Sequence, residues 1–167
     1  MSAPHKKGPL LGAHMPTAGG VQKSILSGKE IGCDSVQLFT ASPRQWRSSP
    51  LNPESVEAFL AAKKTCGIDI TIAHDSYLIN LAAPEGEVRE KSRAAFREEL
   101  ERAEALGIDY LVTHMGAHLG EGTDAGLARL SESLNWLHNE LPGYKTKVAL
   151  ETTAGQGTTL GASFDQF

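Results

Sequence analysis

The sequence predicts an α/β protein in which parallel strands alternate with helices. Along the 167 residues, short apolar runs typical of strands alternate with segments of helical periodicity. The apolar runs are continuous rather than interrupted at every second residue, which is typical of parallel strands covered on both faces. Five such strand–helix units fit either a doubly wound sheet or a (β/α)8 barrel, because both architectures produce this pattern.

The first two units are bounded by glycine and proline. The first predicted strand is 9–14, and the helix after it ends at Gly32, since glycine is a common stop just past a helix. The second strand is 35–40. The next helix begins at Asn52–Pro53, a pair suited to the N-cap and first position of a helix, and closes at Gly67.

Two further helices separate the last three strands. The first spans 87–106, has apolar residues at the helical period and carries many charges, with acid-first i,i+4 pairs such as Glu87–Lys91. We interpret this charge run as a solvated outer face. The second helix has leucines at the helical period between Leu127 and Leu137. The strands themselves are 68–73, 109–113 and 147–150.

Composition narrows the class of protein. The net charge of -4 and the pI of about 5.9 argue against a simple basic nucleic-acid binder. They do not exclude a DNA enzyme, because a cationic patch or bound metal ions supply local attraction. Cys33 and Cys66 have no CxxC spacing, which predicts buried free thiols and a cytoplasmic protein. No apolar run approaches the ~20 residues of a membrane span, and residues 1–8 are predicted to be a flexible tail.

The last three predicted strands each end beside a residue that can bind a metal. These are His74, His114 and Glu151, spaced about 40 residues apart, which is one βαβ unit per interval. The carboxyl ends of parallel strands share one edge of the sheet, where barrel active sites lie. Two imidazoles and a carboxylate suit zinc or another divalent transition metal. A single histidine at a strand end is more often structural, so the prediction rests on all three residues together.

Several blocks of sequence resemble one enzyme family. Residues 74–82, HDSYLINLA, resemble the HxxYLINLA signature of the endonuclease IV family of apurinic/apyrimidinic endonucleases. Four more blocks follow the family pattern in the same order along the chain. They are 12–20 with GAH and AGG, 38–46 with LFT and RQW, 114–118 with HMGAH and 151–157 with ETTAGQG. This chain departs from the family pattern at two positions: Met115 stands where the family usually has proline, and Ala117 stands where it often has serine.

The resemblance implies a fold, a reaction and a set of site residues. It implies a xylose-isomerase-like TIM barrel that binds three zinc ions. Such an enzyme hydrolyses the phosphodiester 5′ to an abasic site in duplex DNA. The products would be a 3′-OH and a 5′-deoxyribose phosphate, and manganese is an alternative metal. His74 and His114 would bind one zinc, and the catalytic Glu151 would bridge it to a second.

The resemblance also implies residues around the metal ligands. Arg44, Tyr77 and Leu78 match the side chains that push into the base stack of DNA. His14 and His118 stand at the same edge and are expected either to support the ligands or to have a purely structural role. The full-length protein would act as a monomer in the cytoplasm.

The end of the chain departs from the family. A complete barrel has eight strands, and the family's remaining ligand motifs do not occur before Phe167. Residues 9–167 are therefore expected to be the N-terminal part of one barrel, with little or no nuclease activity alone. Two alternatives stay open: a metal-dependent sugar isomerase or epimerase of the same superfamily, and a non-catalytic fragment that binds metal or DNA.

Overall fold

The computed structural model describes residues 8–167, so the predicted tail of residues 1–8 lies outside the described residues except for Gly8. Five parallel strands form one sheet in the order β1-β2-β3-β4-β5. A doubly wound sheet reverses its strand order at a switch point, whereas this order is sequential, as in a barrel. The strands are β1 Gly12–His14, β2 Ser35–Phe39, β3 Ile70–His74, β4 Tyr110–His114 and β5 Lys147–Glu151.

Each strand except the last is followed by a long helix. The helices are α1 Gln22–Glu30, α2 Pro53–Cys66, α3 Glu87–Ala105 and α4 Thr123–Glu140, and a short 3-10 helix spans Phe164–Gln166. Asn52 caps α2 as predicted, because its side chain accepts a hydrogen bond from the Ser55 N–H at 2.7 Å. Gly67 ends that helix in the left-handed conformation.

Strands β1 and β3 begin later than predicted. Residues 9–11 precede β1, and Leu10 and Leu11 are exposed. The carbonyl of Leu11 accepts hydrogen bonds from the N–H groups of Asp34 and Ser35, so the segment joins the sheet edge by a turn-like contact rather than a ladder. Ile68 is buried but precedes β3, which starts at Ile70. Continuous hydrophobicity therefore overestimates strand length at both places.

The sheet has one buried face and one half-buried face. Val36, Leu38, Ala73 and Leu111 are fully buried in the main hydrophobic cluster. Alternate residues in β2 to β4, such as Ile72, are only half-buried. The second face is thus only partly covered in the described residues, which is consistent with part of a barrel. Continuous apolar strands arise here because the half-buried inner face also carries apolar side chains.

Helix α3 is not a uniformly solvated outer face, contrary to the interpretation from sequence. The Glu87–Lys91 pair is formed on the surface, but Glu99 is buried and accepts a hydrogen bond from the Thr40 hydroxyl at 2.7 Å. Burial raises the pKa of the Glu99 carboxyl. Arg102 donates to the carbonyls of Thr40 and Ser49. These charged side chains therefore anchor the loop after β2 rather than facing water.

Both cysteines are free thiols, Cys66 buried and Cys33 half-buried. Among the described residues, every helix is too short or too polar to cross a membrane.

Two leucine-to-alanine substitutions, one buried and one exposed, test how much the buried face of the sheet contributes to the free energy of unfolding. We expect Leu38→Ala, at a fully buried site in β2, to lower the free energy of unfolding by about 2–5 kcal/mol through lost burial and a residual cavity. Leu26→Ala makes the same chemical change on α1, where the side chain is 44% exposed, and should cost less than ~1 kcal/mol. Urea unfolding measures both, and equal losses would contradict the burial assigned to β2.

Candidate metal centre

The three predicted ligands come together at the carboxyl ends of β3, β4 and β5. Parallel register places His114 directly beside Glu151, and His74 closes the adjacent strand. One donor atom from each residue can be chosen so that all three lie within 4.8 Å of one another. The interval of about one βαβ unit between these residues and the parallel register of their strands are therefore sufficient to bring the three side chains together.

The hydrogen bonds of His74 fit a cation between the donors. Its Nδ1 lies 2.9 Å from the backbone carbonyl of Asp75, an acceptor, which favours a proton on Nδ1. The lone pair on Nε2 then faces the Glu151 carboxylate oxygen at 3.2 Å. Two acceptors at that distance repel each other unless a proton or a cation lies between them. The geometry thus fits a divalent metal ion, for which imidazole and carboxylate are suitable ligands.

The imidazole of His114 is a second feature that suits a metal ion. Its Nδ1 is buried and has no hydrogen-bond partner among the described residues. The His114 ring lies 5.3 Å from the His74 ring, centre to centre, in an edge-on arrangement. Since buried polar atoms in folded proteins are almost always paired, this imidazole is well suited to bind an ion.

Asp75 supports the site and was missed at the sequence level. Its buried carboxylate accepts a hydrogen bond of 2.6 Å from the Thr113 hydroxyl, and its N–H donates to the Val112 carbonyl. Burial raises the pKa of the Asp75 carboxyl well above its ordinary value, against the hydrogen bond from Thr113 that lowers it. An acidic residue directly after the strand-end His74 was the available signal.

Phe39 links His14 to the site. Its ring lies 4.5 Å from the ring of His14, 5.6 Å from that of His74 and 5.5 Å from that of Tyr77. The His14 Nδ1 pairs with the Gln37 amide at 3.1 Å, and burial, followed by the nearby His74, lowers the pKa of His14. His14 is therefore at the predicted edge, one ring removed from the predicted ligand His74. Its support of the ligands stays a prediction.

His118 orders a loop. Its Nδ1 accepts hydrogen bonds from the N–H groups of Gly120 and Gly122, just before α4. These contacts favour the structural role, while support of the ligands stays a prediction.

Arg44, Tyr77 and Leu78 lie on two loops that are tied together. The carbonyl of Pro43 accepts hydrogen bonds from the Ser76 hydroxyl at 3.0 Å and from the Tyr77 N–H at 3.1 Å. Arg44 is exposed, Tyr77 is 60% exposed and Leu78 is half-buried. Their DNA-binding role stays a prediction, but all three stand at the edge that holds the predicted metal ligands.

A cleft of about 530 Å³ opens beside the trio of His74, His114 and Glu151, between the loops that follow β3, β4 and β5. Its lining is mixed, with backbone and hydroxyl groups beside apolar side chains. The side chains and backbone that line it include those of Tyr77, Leu78, Asn80, His114, Ala117 and Gln156. Another depression, of about 430 Å³, lies around Asp109 and Lys147 at the amino ends of β4 and β5, away from the ligands.

Comparisons with known proteins agree on one family. The sequence model of the xylose isomerase-like TIM barrel family matches residues 27–167. A "Probable endonuclease 4" of Chloroflexus aurantiacus is 52% identical over 157 residues, covering 94% of this chain and 55% of that protein. The corresponding protein of Geobacter sulfurreducens is 48% identical over 93% of this chain and 53% of its own length. The chain thus spans about half the length of these curated relatives.

Solved structures give the same result. Endonuclease IV from Thermus thermophilus is 33% identical, with a TM-score of 0.81 over 95% of this chain and 57% of that chain. A D-tagatose 3-epimerase-like protein is 18% identical, with a TM-score of 0.64 over 90% of this chain and 56% of its own. The second similarity shows the fold alone.

Proposed function

This chain belongs to the xylose isomerase-like TIM barrel family, and from that premise we propose that it carries part of the active site of a metal-dependent DNA-repair endonuclease. The resemblance to endonuclease IV is confirmed by the relatives above. The proposed reaction is hydrolysis of the phosphodiester 5′ to an abasic site, leaving a 3′-OH and a 5′-deoxyribose phosphate. Residues 9–167 would form part of a single barrel domain, acting as a monomer in the cytoplasm, where its DNA substrate is.

One observation carries the proposal: the metal-ligand trio and the exposed Arg44 and Tyr77 lie at the same edge of the sheet. A sugar isomerase or epimerase needs the trio but has no use for an exposed cation and aromatic ring on loops above it. The epimerase-like relatives share the fold at less than 20% identity, which gives that alternative no support beyond architecture.

His74, His114 and Glu151 would hold the metal. Zinc, or manganese in its place, supplies a Lewis acid for the phosphate oxygens and lowers the pKa of water. The Asp75 carbonyl fixes the His74 ring so that its Nε2 faces Glu151. The exposed carboxylate of Glu151 has a second oxygen, which suits it to bridge two ions. These residues would thus hold the ion beside the cleft.

Tyr77, Leu78 and Arg44 would bind the damaged duplex. The Tyr77 ring and the Leu78 side chain are suited to enter a base stack, and the Arg44 guanidinium to contact phosphate or the unstacked bases. Opening a stack costs a few kcal/mol, and less where a base is already missing. Selectivity for abasic DNA would therefore come partly from the lower cost of distorting it.

The direct test compares abasic and undamaged duplexes of one sequence. Because the chain spans about half of its relatives, two proteins are assayed: the 167-residue chain, and a chimera that joins it to the remaining part of the Chloroflexus aurantiacus protein. We expect the chimera to cut 5′ to a tetrahydrofuran abasic analogue, to lose activity with EDTA and to regain it with zinc. We expect the chain alone to bind zinc and to cut little or not at all.

Each other outcome has a defined meaning. A chimera that shows no preference for the abasic duplex contradicts the proposal. Metal-dependent epimerisation of a ketohexose without DNA cleavage would support the isomerase alternative. Zinc or DNA binding by the chain, with no incision by either protein, would support a non-catalytic fragment.

A further inference from the structure

We propose that Asn80 is a positioning residue that holds the Tyr77–Leu78 tip at a set distance from the strand end of His114. The loop after β3 carries the tip, and the loop after β4 follows the ligand His114. Neither the trio nor the proposed DNA contacts give Asn80 a role. The consequence for DNA binding rests on the proposed function, whereas the coupling of the two loops does not.

The Asn80 side chain pairs with the backbone of Ala117 in both directions. Its Nδ2 donates to the Ala117 carbonyl at 2.9 Å, and its Oδ1 accepts from the Ala117 N–H at 2.9 Å. The same Oδ1 accepts from the Ala82 N–H at 3.2 Å. One side-chain amide thus makes, between the two loops, the pair of hydrogen bonds that the backbones of neighbouring strands would make.

The base of the loop after β3 is also held by the helices behind it. The Asn80 N–H donates to the Ser92 hydroxyl on α3, and the Ser133 hydroxyl on α4 donates to the Leu81 carbonyl. Leu81 is fully buried, whereas Tyr77 is 60% exposed. The tip therefore stands on a segment that is buried and hydrogen-bonded on two sides, and Asn80 is its connection to the loop after β4.

The loop after β4 is shaped to receive this amide. A Cβ added at Gly116 would lie 2.2 Å from the Asn80 Oδ1, and Gly116 has a φ of +89°. Any larger residue would therefore displace the Asn80 side chain or strain the backbone. Ala117, which pairs with Asn80, is three residues after His114, and Asn80 is three residues after Tyr77. A shift of the pair would consequently move the tip relative to the metal site.

The test uses two variants with different predicted losses. Asn80→Leu keeps the approximate shape and removes every side-chain hydrogen bond. Asn80→Asp keeps the acceptor for Ala117 N–H but turns a carboxylate oxygen toward the Ala117 carbonyl, which repels it. Asn52→Asp is the matched control, because Asp caps a helix as well as Asn and still accepts from Ser55 N–H.

Hydrogen exchange on the 167-residue chain measures the coupling itself. We expect the amides of Ala82 and Ala117 to exchange at least ~tenfold faster in Asn80→Leu, as expected for loss of a protecting hydrogen bond. In Asn80→Asp the Ala117 amide should stay more protected than in Asn80→Leu. Zinc affinity should change less than about twofold in both variants, since no ligand is touched. Unchanged exchange in Asn80→Leu would overturn the inference.

The chimera measures the consequence for DNA. We expect KM for the abasic duplex to rise about tenfold to hundredfold in both variants, with kcat within about twofold, because the tip acts in substrate binding. If KM rises only in Asn80→Asp and high salt removes the rise, the cause is repulsion between the new carboxylate and the DNA phosphates. That result would overturn the positioning role. Should Asn80→Leu not fold, Asn80→Asp at high salt decides the same point.

The two proposals fail in different ways. If the unsubstituted chimera has no preference for abasic DNA while Asn80→Leu speeds exchange at Ala117, the proposed function fails and the loop coupling stands. If the chimera cuts abasic DNA and both variants behave like Asn52→Asp, the proposed function stands and the role of Asn80 is refuted.

Discussion

His114→Ala will weaken zinc binding by the chain by at least about 100-fold. Changes to groups that merely hydrogen-bond a metal ligand already cost 10–100-fold in affinity, and this change removes a ligand. The donor atoms of His74 and Glu151 would remain close together, but two donors hold a divalent ion far less tightly than three. Competition with a chromophoric chelator at pH 7.5 measures the dissociation constant directly.

A second histidine provides the control for this prediction. His138 is exposed on α4, with its Nδ1 at 2.8 Å from the Leu134 carbonyl, and it lies outside the metal trio. His138→Ala should leave the zinc affinity within about twofold of the original value. If His114→Ala and His138→Ala bind zinc equally well, the ion is held elsewhere and the proposed centre is wrong.

Tyr77→Ala will lower the affinity of the chimera for abasic duplex by about tenfold to hundredfold. Stacking of an aromatic ring on a base contributes ~1–3 kcal/mol, and the Tyr77 side chain is 60% exposed although its ring also lies near those of Phe39 and His74. Arg44→Ala should cause a smaller loss that shrinks as salt is raised, because a cation on phosphate acts by counterion release. Fluorescence anisotropy with abasic and undamaged duplexes at two salt concentrations separates the effects.

Matched residues away from the edge complete this experiment. Tyr144 is exposed in the loop before β5, at the opposite end of the strand from Glu151. Arg97 is half-exposed on α3 and pairs with Glu101. Tyr144→Ala and Arg97→Ala should leave the preference for abasic DNA unchanged. A loss of affinity in these controls as large as in Tyr77→Ala, or none in any variant, would count against the DNA-binding role.

Strand-end residues could be placed from sequence because βα units are regular. Each unit brings its strand to the same edge, so His74, His114 and Glu151 had to meet if the strands were parallel and in sequence. The hydrophobic period similarly located the stripe of α3, where Phe96 is fully buried. Such predictions hold because they depend on the period and the order of elements, which are local properties of the chain.

Polar side chains inside the structure could not be placed in this way. Glu99 and Arg102 look like a surface charge run, yet they hold the loop after β2 through Thr40. Asp75 and Asn80 look like ordinary polar loop residues. Whether such a side chain meets water or a partner depends on loops that are distant in sequence, and no local pattern records those loops.

By itself, the sequence determined the α/β class, the succession of strands and helices along the chain and which residues end the strands, because helical and strand periods are set by neighbouring residues. The strand and helix pattern left a sequential sheet and a doubly wound one open, the family resemblance implied the barrel, and the tertiary structure shows the sequential order. It also decided that His74 Nε2 faces Glu151 across 3.2 Å and that Asn80 joins two loops through Ala117. Those outcomes depend on hydrogen bonds between segments about 40 to 80 residues apart, whose geometry exists only once the strands have been brought side by side.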